Sequence, residues 1–196
     1  MLSWSARRPT LAASASLCVK YIAADVMVQR FDAKRAIAAP EACTSSQDAV
    51  VPLDTRRLGL FACWGAYYGV INYNVFRLIS RIQWGGPWRG TFGMMAIDIF
   101  AHLPVLFYPQ FYFARELAFA PAWPTSVSEL RDHAVTGLSK YHANFVGDIT
   151  TLVVVFVPID LVMFRWLPLH MRTPFLGMVG IIFPLALSKL RGAQGT

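Results

Sequence analysis

Residues 58–76 read LGLFACWGAYYGVINYNVF, nineteen positions without a charge, bounded by Arg56-Arg57 and Arg77. At about 1.5 Å per residue a helix of that length covers about 30 Å, the thickness of a bilayer's hydrocarbon core. Within it Gly65-Ala66-Tyr67-Tyr68-Gly69 forms a GxxxG step, preceded at helical spacing by Gly59 and Ala62. Small residues on one stripe let a second helix approach until van der Waals contact holds the pair in lipid. The stretch predicts a membrane helix with a partner along Gly65 and Gly69.

The pattern repeats outward. Residues 90–114 are apolar apart from Asp98 and His102, residues 149–164 hold one acid, Asp160, and residues 173–188 carry no charge. Pro158 and Pro184 lie inside the last two runs, where neighbouring helices tolerate them by satisfying the freed carbonyls. The link 77–89 contains Arg77, Arg81, Arg89, the turn signal Gly85-Gly86-Pro87 and two tryptophans, Trp84 and Trp88, suited to a membrane interface. Residues 121–148 are more polar and predict a separate surface helix from Val127 to Phe145, with Leu130, Ala134, Leu138 and Tyr141 on one face. The expected fold is an all-α polytopic membrane bundle of four transmembrane helices, with the N-terminal helix as a candidate fifth.

Residues 1–24 contain no acid and carry Arg7, Arg8 and Lys20, a composition typical of mitochondrial targeting segments. The apolar character runs on to Val28, so the same stretch also reads as a first helix. Residues 32–57, with Pro40, Ser45-Ser46 and Pro52, read as a linker. The organisation is an N-terminal basic segment and first helix (1–31), a linker (32–57) and a membrane bundle (58–196).

Composition agrees. Of 196 residues, 56% are hydrophobic and 15% charged, and the mean hydropathy is +0.45. A soluble domain of this size would expose more apolar surface than water tolerates, and a disordered chain needs the opposite balance. Lys and Arg total 18 against 11 acids. They gather at the ends of the apolar runs, where long cationic side chains reach the headgroups, and not along one stripe. A lipid bilayer, not nucleic acid, is the partner this implies. Three cysteines form no CxxC pair, and four scattered histidines match no zinc spacing, so no metal or cofactor is expected. No G-x-S-x-G, H-E-x-x-H or P-loop occurs, which argues against an enzyme.

Asp98 and His102, four residues apart, share a helix face. A charge deep in a bilayer is costly, about 2.5–3.5 kcal/mol even on insertion scales. The pair must therefore face the bundle interior, a partner or water. It serves either as a hydrogen-bonded clamp between helices or, with Asp160, as the lining of a pore.

Several phrases occur in the order found in one family. Phe164-Arg165-Trp166-Leu167-Pro168-Leu169-His170-Met171-Arg172, with Ser188 ending the last run, resembles the C-terminal signature of the Mpv-seventeen / peroxisomal membrane protein twenty-two family. Asp25 and Gln29 resemble that family's first-helix motif, Asp54, Arg57 and Gly65 its second, and Asp98 with Pro104 its third. Met163, Asp160 and Ile99 stand where the family pattern has Asn, Gln and Gln. The resemblance implies a small helical bundle of the mitochondrial inner or the peroxisomal membrane. With polar interior side chains replaced, the primary expectation is a non-enzymatic accessory subunit of a mitochondrial inner-membrane assembly such as a respiratory complex. The alternative is a small-solute or ion channel of the inner or peroxisomal membrane.

Overall fold

The computed structural model describes residues 2–38, 52–82 and 85–192, with side chains over 4–33, 52–82 and 85–181. Every regular element among them is a helix. A short α1 (Leu2–Arg7) leads into α2 (Pro9–Ala38), α3 (Thr55–Ile79) and α4 (Pro87–Ile97). The chain continues through a π-helical segment (Asp98–Phe107) into α5 (Tyr108–Phe119), so residues 87–119 form one rod. Two long helices, α6 (Val127–Trp166) and α7 (Leu169–Gly192), follow.

Three helices are long and apolar enough to cross a membrane: Pro9–Ala33, Pro87–Phe119 and Val127–Trp166. The N-terminal helix is thus one of the three. The run 58–76 lies within α3, which has the length but carries Trp64, Tyr67, Tyr68, Asn72, Tyr73 and Asn74, and these lower its apolarity. Residues 173–188 lie on α7, where side chains beyond residue 181, including that of Ser188, are outside those described. Three spans, not four or five, are therefore supported among the described residues.

Two boundaries differ from the sequence reading. The linker is narrower, because α2 continues to Ala38 and α3 begins at Thr55; residues 39–51 lie outside the described residues. And the surface helix expected at 127–145 is not separate from the apolar run 149–164. Both belong to α6, 40 residues long. A cap starts it: Ser126 Oγ accepts from the Glu129 N–H at 3.2 Å, and the Glu129 carboxylate accepts from the Thr125 N–H at 2.6 Å. No strong stop follows until Leu167-Pro168. Of the four residues read as sharing one face, Tyr141 is buried, and Leu130, Ala134 and Leu138 are exposed.

The glycine stripe sets the closest approach in the bundle. A Cβ on Gly65 would lie 2.5 Å from the Leu17 carbonyl oxygen, and one on Gly69 2.6 Å from the Ala13 carbonyl oxygen and the Ser14 Cα. The backbones of α2 and α3 touch there, and Ser14 Oγ donates to the Ala66 carbonyl at 2.9 Å. On its other side α2 meets α7, where Gly177 faces Ser16. The rod runs antiparallel to α6. Gly137 packs on the Tyr112–Phe113 backbone, Lys140 pairs with Glu116 at 2.8 Å, and Met163 clusters with Met94 and Met95.

The π-helical turn has a cause in the sequence. Pro104 cannot donate to the ladder, and the bonding shifts to a five-residue step, with the Tyr108 N–H reaching the Leu103 carbonyl. The next bond would run from residue 109 to the Pro104 carbonyl, but Pro109 has no N–H. Tyr141 Oη donates to that carbonyl instead, at 2.9 Å, and ties α6 to the weak point of the rod.

Gly69→Leu should drive α2 and α3 apart, costing about 1–3 kcal/mol or more and visible as a lower melting temperature in detergent. Gly59→Ala, where nothing lies within 4 Å of the added carbon, should leave it unchanged.

Candidate functional site

Among the described residues, several groups of polar side chains join the helices. At one end Asp25 of α2 accepts from Arg57 Nε at 2.6 Å and from Gln29 Nε2 at 2.7 Å. Gln29 also holds the start of α3: its Oε1 accepts from the Asp54 N–H at 2.7 Å, and its Nε2 donates to the Asp54 carbonyl at 3.3 Å. Asp54 in turn caps α3 through the Arg57 N–H at 3.0 Å. Asp25, Gln29, Asp54 and Arg57, quoted above from two separate motifs, thus form one network. The Arg57 guanidinium also lies over the Phe119 ring at 4.6 Å, reaching the rod.

In the middle, Asp98 Oδ1 contacts His102 Nδ1 at 2.5 Å, and His102 Nε2 contacts Tyr68 Oη of α3 at 2.8 Å. One arrangement satisfies all three: the Nδ1–H donates to the carboxylate and the Tyr68 hydroxyl donates to Nε2. The chain Asp98–His102–Tyr68 therefore crosses from the rod to α3. Its members are 2, 3 and 4% exposed. Phe76 meets the imidazole edge-on. Close by, Asn72 Nδ2 donates to Thr173 Oγ1 at 3.2 Å, joining α3 to α7.

At the other end Arg172 gathers four elements. Its Nη1 donates to Ser80 Oγ after α3 at 2.7 Å and lies 3.6 Å from the Met94 sulfur of α4. Its Nε donates at 3.2 Å to the Leu167 carbonyl in the turn after α6, and the guanidinium lies 5.1 Å from the Phe164 ring centre. Phe164 meets Phe76 edge-on. Pro168 occupies the turn between α6 and α7, and its carbonyl accepts from the Met171 N–H at 2.9 Å. Asp25, Gln29, Asp54, Arg57 and Arg172 thus each take part in a contact between helices.

Asp160 is the exception among the buried acids. It is fully buried on α6 beside the Asp98 carboxyl, and neither of its oxygens has a satisfactory hydrogen-bond partner among the described residues. Asp98, His102 and Asp160, the candidate pore-lining residues, do come together, but enclosed by α3, α6 and the rod. No group of His, Cys, Asp or Glu able to hold a metal ion occurs among the described residues.

Sequence reasoning missed Tyr68, Asn72, Ser80 and Thr173, the neutral halves of these junctions. Tyr68 lies inside the GxxxG step itself, and its proximity to His102 depends on how α3 meets the rod. Asp98 pairs with His102, while Arg57 goes to Asp25 and Arg172 to Ser80.

No protein-family model, curated protein or solved structure matches this chain. The chemistry must therefore be argued from the junctions themselves. They contain no activated nucleophile with its base and orienting group facing an open cavity. What they do contain is a set of fixed hydrogen bonds between helices.

Asp98→Leu strands His102 and should cost about 3–5 kcal/mol, whereas Asp98→Asn, which keeps an acceptor, should cost about 1 kcal/mol. Asp160→Asn removes a buried carboxyl with no satisfied partner, so it should melt at or above the wild-type temperature. Thermal unfolding in detergent checks all three.

Proposed function

We propose that this protein is a non-enzymatic, structural subunit of a membrane assembly, resembling the Mpv-seventeen family, with the mitochondrial inner membrane as its site. The observation that carries this reading is the use made of its polar groups. Asp25, Arg57, Asp98, His102 and Arg172 are spent on joining the chain's own helices. Large apolar side chains are left on the outer surface. The most apolar part of α6 is 11% buried, the least of the three candidate spans. Val135, Val146 and Val154 are 59, 76 and 70% exposed along that helix. At about 1.5 Å per residue α6 is about 60 Å long, twice the hydrocarbon thickness, so its more polar first half extends beyond the bilayer. Another membrane subunit, such as one of a respiratory complex, suits that face.

In this reading α3 and α7 also cross the bilayer, giving five spans. Arg57 and Arg77 stand about 30 Å apart along α3, which fits the hydrocarbon core. Cation–aromatic pairs mark both ends of the bundle, Arg56 over Trp123 at one and Arg165 over Trp88 at the other, as expected at the two interfaces. The basic, acid-free start favours mitochondria over peroxisomes.

One observation favours the channel as a second reading. Two adjacent buried carboxyls, Asp98 and Asp160, one of them unsatisfied, are a place where a proton or cation can be held in transit.

Native gel electrophoresis of gently solubilised membranes, followed by immunodetection, separates the two. The subunit reading expects the protein in a large complex at fixed stoichiometry, and no change in planar-bilayer conductance on Asp98→Asn. A small homo-oligomer whose conductance or ion selectivity shifts in that variant would replace it with the channel.

A further inference from the structure

A groove of about 420 Å³ runs between α2 and the rod, with α3 as its floor. Half of its lining is aromatic, with Tyr21 on one wall, Phe107 and Phe111 on the other and Phe61 beneath. The rings contact one another across it, Tyr21 meeting Phe111 at 6.4 Å. Such a lining suits an apolar body.

Its charges are unbalanced. The lining holds three cations, Lys20, Arg57 and Arg115, and one acid, Asp25. Asp25 is already engaged by Arg57 and Gln29. Among the described residues Lys20 has no ion-pair partner; its ammonium lies 5.1 Å from the Tyr21 ring centre. Gly180 of α7 makes room for it, because a Cβ there would collide with the Lys20 Cε and Nζ. A lysine so placed, eleven residues into a candidate span that begins at Pro9, is costly without an anion. Arg115, exposed near Phe119 and without an ion-pair partner among the described residues, stands at the opposite, outer end.

We propose that this groove binds an amphiphilic organic monocarboxylate, with its carboxylate on the Lys20 ammonium and its apolar body against Tyr21, Phe61, Phe107 and Phe111. Charge complementarity selects the anion, and the aromatic walls select a chain or ring over a small inorganic ion. The position of the inner cation distinguishes this occupant from a membrane phospholipid. A phospholipid with its phosphate at Arg115 would lay its hydrocarbon tail against the unpaired ammonium. A carboxylate at Lys20 pairs that ammonium instead.

The test uses the purified full chain in a neutral detergent, with a dansyl-labelled undecanoate as the reporter. Decanoate should displace it, and decanol, equal in length but uncharged, should displace it far less well. Lys20→Met keeps the apolar stem and should weaken decanoate by about tenfold or more, while Lys20→Arg should retain it. Gly180→Ala, which displaces the ammonium without removing it, should weaken decanoate in the same direction. Equal displacement by decanoate and decanol would overturn the proposal. So would decanoate affinity that survives Lys20→Met and Gly180→Ala, or affinity for phosphatidylglycerol vesicles lost in Arg115→Gln but not in Lys20→Met. If Lys20→Met fails to fold, the Lys20→Arg and Gly180→Ala variants and the decanol comparison decide alone.

Discussion

A charged or strongly polar side chain carried into this bundle is costly unless protein satisfies it, as it does for every buried acid described but Asp160, because the surrounding hydrocarbon supplies neither hydrogen bonds nor counter-charge. That constraint orders the helices. Asp25 needs Arg57, so α2 lies on the first turn of α3. The Asp98–His102 pair needs Tyr68, so the π-helical turn of the rod faces the middle of α3. Arg172 finds its acceptors at Ser80 and Leu167, so the start of α7 closes the far end. Hydrogen bonds between membrane helices are modest individually, often about 0.6–2 kcal/mol. Their value here is directional: shifting any helix by a turn would leave a buried ionisable group without its partner.

Close packing makes those distances attainable. Backbone contact at Gly65 and Gly69 draws α3 onto α2, and this lets Arg57, two turns beyond Gly65, meet Asp25 with a short bond. The π-helical turn performs a similar service for the rod. A proline at 104 and another at 109 would each leave a carbonyl unsatisfied in a regular helix. The wider turn redistributes the bonds and leaves one acceptor for Tyr141. The carbonyl freed in the rod thereby becomes a contact with α6.

Much of this is legible in the residues. Uncharged runs bounded by arginine announce helices, and the small-residue stripe at 65–69 announces the α2–α3 contact, because both are local properties of one segment. Asp25, Gln29, Asp54 and Arg57 stand out by their motif resemblance, although only the fold brings them into one network. Harder to read is anything set by two segments together. The neutral partners Tyr68, Asn72 and Thr173 carry no signal of their own, since tyrosine, asparagine and threonine occur in any helix of this composition. The fusion of 127–145 with 149–164 into α6 was missed because polarity changes along the helix, and a change of polarity reads as a boundary. The cap at Ser126 and the stop at Leu167-Pro168 were the better guides. Span number stayed out of reach for a related reason. α3 has the length of a membrane helix, but its tyrosines and asparagines, of which the bundle buries Tyr68, Asn72 and Tyr73, make it less apolar than its neighbours.

The account stands on the claim that the interior polar residues are couplings between helices. A double-mutant cycle tests it most directly. Tyr68→Phe, His102→Ala and the double variant would be compared with wild type by equilibrium unfolding in mixed micelles. The account predicts a coupling free energy of about 0.5–2 kcal/mol between the two positions, with the double variant less destabilised than the sum of the singles. Strict additivity, with coupling indistinguishable from zero, would contradict it.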